Sequence, residues 1–158
     1  MCVNAGQRQT NRAILLRLWQ NQFNTKALCL IMEIDMDNVI DFKTPLQIHE
    51  EGVKQAKKAV EEWLFHWRMT NPEANEEYGE PLYCGFAWVN IRPATTKFAR
   101  ALKKEGIVEY RSHLGGYDVW NPADYHGQSM DVKEQGALAY ARVLNNYGIR
   151  ATAIYRAD

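Results

Sequence analysis

Few side chains in this sequence have acid-base or metal-binding character, and their spacing is irregular. His113, Asp124, His126 and Cys84 are the one set of that kind. A metal or catalytic site needs three or four such groups held together with supporting hydrogen bonds. Asp124 and His126 share a loop, His113 stands in a tight turn, and Cys84 belongs to a separate strand. Without a fourth ligand at a workable spacing, neither a metal nor a cofactor is expected. The enzymatic alternative is a small enzyme whose site is formed by His113, Asp124, His126 and Arg111 at one sheet end.

Other chemical signatures are missing. Gly115-Gly116 supplies the positive φ angles of a tight turn, but no helix start follows it to cradle a phosphate. The sequence contains neither a dinucleotide fingerprint nor a nucleotide P-loop nor a Gly-x-Ser-x-Gly elbow.

The strand faces carry a stronger signal. In residues 82–91, alternation puts Cys84, Phe86, Trp88 and Asn90 on one side and Tyr83, Gly85, Ala87, Val89 and Ile91 on the other. In the last strand, Arg150, Thr152, Ile154 and Arg156 share a side. Phe86, Trp88, Arg150 and Arg156 are therefore the binding candidates, since aromatics flanked by arginines on an open sheet can stack nucleic-acid bases. The basic-Gly-aromatic signature of RNA-recognition folds is missing, with Tyr117-Asp118-Val119-Trp120 in the hairpin instead. A competing cover exists in the apolar stripe of the first long helix, so Trp63 or Trp67 is expected to pack near Phe86 or Trp88.

The elements that position these groups have clear starts and stops. Thr44-Pro45-Leu46-Gln47 reads as a capping box with proline in the first turn. Val53, Ala56, Val60, Trp63, Leu64 and Trp67 then recur at helical spacing until Asn71-Pro72 stops the helix. An acidic linker over residues 73–81 leads to the strand at 82–91. A short helix capped by Thr95 or Thr96 follows, then a hairpin of strands at 107–112 and 117–120. A helix capped by Ser129 or Asp131 and a final strand at 149–156 complete the chain. Gly136 within that helix implies close approach to the sheet.

This order predicts an α+β fold, a ferredoxin-like βαββαβ sandwich with sheet order 4-1-3-2 and an additional long N-terminal helix. Residues 1–35 read as a poorly structured or mis-called N-terminal extension with a short helical pattern at Ile14, Leu15, Leu18 and Phe23, and residues 36–158 as a single domain.

Composition narrows the classes. Hydrophobic residues make up 46% and charged residues 24%, which is globular usage and neither disordered nor membranous. Net charge is zero but unevenly spread. Residues 1–32 carry four basic and no acidic side chains, residues 33–80 five and twelve, and residues 81–158 ten and seven. That balance does not favour an exclusively phosphate-binding protein. Cys2, Cys29 and Cys84 suggest no disulfide framework. A cytoplasmic location is expected, with no membrane partner.

The stretch Cys84-Gly85-Phe86-Ala87-Trp88-Val89 and the turn Gly115-Gly116-Tyr117 with Trp120-Asn121-Pro122 carry a resemblance. So do Gln128-Ser129-Met130-Asp131-Val132-Lys133-Glu134 with Gly136-Ala137, and the Arg156-Ala157-Asp158 tail. From residue 82 onward the chain resembles a group of small uncharacterised bacteriophage proteins, marine phages among their sources. The resemblance implies a phage or environmental source and no catalytic residues. The functional expectation is a non-catalytic binding or assembly module, homo-oligomeric, a phage accessory factor acting on a host protein or nucleic acid.

Overall fold

The computed structural model describes residues 43–158, which cluster as one unit from Lys43 to Asp158. The extension at 1–35 and its helical pattern lie outside the described residues. Helix α1 (Pro45–Thr70) starts where the capping box places it. The Gln47 N–H donates to Thr44 Oγ1 at 3.3 Å and the Thr44 N–H to Gln47 Oε1 at 2.7 Å, satisfying two amides that a helix start otherwise leaves orphaned. Its buried residues Ile48, Gly52, Ala56, Val60 and Leu64 fall at four-residue steps, one continuous ridge. Asn71-Pro72 ends it, yet Pro72 also opens a second helix, α2 (Pro72–Tyr78), in what reads from sequence as a linker. Proline fits a first helical position because its missing N–H would be unpaired there anyway. Gly79 closes this wholly unburied helix at φ 72°.

Strand β1 (Gly85–Ile91) is central, and helix α3 (Lys97–Lys104) follows it, with the Thr96 hydroxyl accepting from the Ala99 N–H. Strands β2 (Tyr117–Trp120) and β3 (Ala151–Ala157) flank β1, both antiparallel to it, and helix α4 (Met130–Asn146) connects them. The fold is therefore α+β, with a three-stranded antiparallel sheet in the order β2-β1-β3. Ala87, Val89 and Ile91 join Phe98, Leu102, Val132, Ala137, Tyr140 and Leu144 in the core between sheet and helices.

Three expectations need correction. First, the four-stranded sandwich with order 4-1-3-2 is not formed, because residues 107–112 make a single bridge, Arg111 to Tyr117, rather than a strand. Neither alternating face of that segment is apolar. Only Val108 is buried, while Ile107 and Tyr110 are exposed, so burial gives no reason to complete the ladder. Second, α1 lies against α4 and α3, and its ridge joins the core on the helix side of the sheet. Trp63 packs on that core and so does not cover the face of Phe86 and Trp88. Third, Gly136 marks an approach to α1 and to the loop before α4. A Cβ there would stand 2.7 Å from Ala123 Cβ and 3.2 Å from Val60 Cγ2.

Candidate functional site

The cross-strand register builds the helix-free face of the sheet. Trp88 pairs with Trp120 on one side and Ile154 on the other, Phe86 faces Arg156, and Asn90 faces Asp118 and Thr152. Directly opposite residues share a face, so Phe86, Trp88, Trp120, Ile154 and Arg156 form one surface. The Trp88 and Trp120 rings stack at 4.7 Å between centroids, tilted by 30°, and Phe86 meets Trp120 edge-on at 6.5 Å. Trp88 is buried beneath this contact. Trp120 remains 58% exposed and Phe86 38%. Among the described residues no helix packs on this face.

Cations stand at both ends. Lys133 Nζ lies 5.6 Å from the Phe86 ring centre, held by a 2.9 Å hydrogen bond to the Gly85 carbonyl. At the other end the Arg92 N–H donates to the Arg150 carbonyl at 3.0 Å, continuing the β1–β3 register so that two arginines stand opposite each other. Arg92 also lies over Gly116, where any side chain would meet its Cγ at 2.8 Å. Of the acids on this side of the sheet, Asp158 stands opposite Cys84 at the chain's last paired position, and Asp118 accepts from Asn90 Nδ2 at 2.7 Å, the same amide donating to the Gly115 carbonyl at 2.9 Å. Asn90 is thereby fixed as a polar floor beside the rings. All four sequence-based binding candidates, Phe86, Trp88, Arg150 and Arg156, share this face. Trp120, Arg92 and Lys133 were not singled out from the sequence. Alternation in the hairpin could have found Trp120, but only once its register against β1 was known.

The acid-base candidates lie beside this face, around a cleft that Asp118 and Trp120 also line. Because residues 107–112 leave the edge of β2 largely unpaired, a cleft of about 840 Å³ opens between them, α1 and β2. Arg111, His113 and Asp124 line it, joined by His49 and Lys57 from α1. His126 is fully at the surface, its Nε2 3.9 Å from Asp124 Oδ1, and Lys57 Nζ is 3.9 Å from Asp124 Oδ2. Both separations exceed hydrogen-bond length. Cys84 is exposed at the start of β1, bridged to Ser129 and far along the strand from the hairpin turn. Among the described residues no group of three or more His, Cys, Asp or Glu is placed to hold a metal ion.

From the wall of the cleft, His49 Nδ1 reaches the Tyr140 hydroxyl, 2.6 Å away. Burial pushes the His49 pKa down against a small upward pull from Glu50, favouring the neutral ring. Burial likewise pushes the Tyr140 hydroxyl well above the usual phenol range. This pair joins α1 to α4 as a structural contact. The chain matches no family model, no curated protein and no solved structure.

Proposed function

We propose that the chain is a non-catalytic binding module whose docking surface is the helix-free face of the sheet. One observation supports this above the rest: Trp120 is held in place by stacking on Trp88, yet over half of it remains open to solvent. Large aromatics tend to be buried when their task is folding and exposed when it is recognition. The likeness to small phage proteins fits an accessory role of this kind. The same reading takes the order β2-β1-β3 as strands 3, 1 and 4 of a ferredoxin-like sandwich whose second strand, at the hairpin edge, is given up.

The enzymatic alternative finds less support. Three of its four residues line a cleft and His126 stands at the surface, with no pair within hydrogen-bond reach that would activate a nucleophile or relay a proton. Paired substitutions test the docking reading. Trp120→Thr with Phe86→Thr should lower stability by only about 1–2 kcal/mol, the loss of edge and stacking contacts. A loss above about 4 kcal/mol, the scale of deleting a buried aromatic, would assign the rings to folding.

A further inference from the structure

We infer that the occupant of this face is a single-stranded nucleic acid, with bases on Trp120 and Phe86 and phosphates on the cations at the two ends. The inference rests on the reading of the face as a docking surface, and names its partner.

Charge is the first argument. Arg92 and Arg150 stand directly opposite each other, an arrangement that destabilises a strand pair unless an anion lies between. Among the described residues no carboxylate comes within salt-bridge distance of Arg92, Arg150 or Arg156, as the ion pairs formed there all lie on other residues. Arg92 Nε is buried and meets no hydrogen-bond partner among the described residues. Two acids share the face: Asp118 is occupied by Asn90, and Asp158, whose N–H donates to the Cys84 carbonyl at 3.2 Å, lies two residues beyond Arg156 without pairing with it.

Spacing is the second. Phe86 near the start of β1 and Arg92 just past its end are six residues apart, about 20 Å at the rise of an extended chain. Cations mark both ends and aromatic rings fill the ground between, the combination of charged track and stacking platform that holds single strands irrespective of sequence. A duplex would present its bases already stacked and offer nothing to Trp120.

Area is the third argument, and it weighs against a second copy of the chain. Phe86 at 38% and Trp120 at 58% exposure offer roughly 200 Å² of aromatic surface between them. Stable protein pairs bury about 800 Å² per partner, with their apolar part at the centre. The aromatic patch is the size of one or two bases.

The test uses the full chain and fluorescein-labelled oligouridylate and oligothymidylate of about 12 residues, with binding read by anisotropy. Both should bind at about 50 mM salt and weaken about 20- to 50-fold at about 200 mM, the dependence expected for three to four phosphate contacts on a single strand. The ratio of the two affinities tells RNA from DNA. Trp120→Ala should weaken binding at least about fivefold with little change in salt dependence, as loss of one stacked base requires. Arg150→Gln with Arg156→Gln should lower the log-log salt slope by about 1.4. Circular dichroism checks that each variant is folded, and Trp120→Phe should retain most of the affinity. Failure of both oligonucleotides to bind at low salt, or binding indifferent to Trp120→Ala, overturns the nucleic-acid assignment. Sedimentation velocity then separates the two claims. Self-association of the wild type that Trp120→Ala abolishes would leave the docking surface standing with a protein partner. A monomer that binds neither oligonucleotide would remove both.

Discussion

Gly52→Ala probes the contact that keeps α1 on the helix side of the sheet. Glycine inside a helix is ordinarily about 1 kcal/mol worse than alanine, so the substitution should stabilise a helix whose face is free. Here the added Cβ would stand 2.7 Å from Tyr140 Cδ2 and 2.8 Å from Cε2. Carbon atoms pack best at about 3.5–4.0 Å, so the helices must part by about 1 Å or the ring must turn. Tyr140 is completely buried and its hydroxyl is tied to His49, which leaves it little room. Overpacking of this kind costs about 1–3 kcal/mol, enough to exceed the propensity gain. The expected result is a net loss of about 1–2 kcal/mol, measured by urea denaturation with the slope unchanged. In a double-mutant cycle with Tyr140→Leu, which removes the obstructing ring, the two changes should couple favourably by about 0.5–3 kcal/mol. A stabilisation of about 1 kcal/mol by Gly52→Ala alone would refute the reasoning, because α1 would then not rest on Tyr140.

Two more predictions concern polar groups. Ser129 caps α4 by position, yet its side chain makes no cap hydrogen bond and its buried Oγ meets no partner among the described residues. Ser129→Ala should therefore leave the melting temperature unchanged or raise it, where loss of a working cap would cost about 1 kcal/mol. His49 has a folded-state pKa below its unfolded value, so the unfolded chain takes up the proton first. Its contribution to stability should be constant above about pH 6.5 and decline as the pH falls below that value. Chemical denaturation at several pH values should show this slope in the wild type, and His49→Asn should flatten it. An equal slope in both proteins would contradict the assignment.

Local signals carried much of the fold. Thr44 with Gln47, Thr96, Gly115-Gly116 and the alternation of residues 85–91 each act through their own backbone, so neighbouring residues suffice to read them. Tertiary choices were hidden. The ridge on α1 states that it must be buried without stating against what, and α4 offered Gly136 and Tyr140 as a fitted groove where the sheet face offered Trp120. Residues 107–112 contain strand-forming types, but a strand needs one apolar face, and Val108 alone did not supply it. Asp131 and Glu134 have capping-box spacing, although α4 begins at Met130 and Asp131 falls within its first turn, with Ser129 at the cap position. For the candidate site, alternation placed Phe86, Trp88, Arg150 and Arg156 correctly on one side. The contribution of Trp120 and Arg92 depended on register, a long-range property that residue spacing does not encode.

The central claim is that the aromatic face of the sheet stands open in the free protein. Hydroxyl-radical footprinting of the full chain, read by mass spectrometry at single residues, addresses it without assuming a partner. Trp120 and Phe86, 58% and 38% exposed, should both label readily, Trp120 the more, and Trp88, 7% exposed beneath them, should be strongly protected. Equal and strong protection of Trp120 and Trp88 in the free, monomeric chain would contradict the account, since the face would already be occupied.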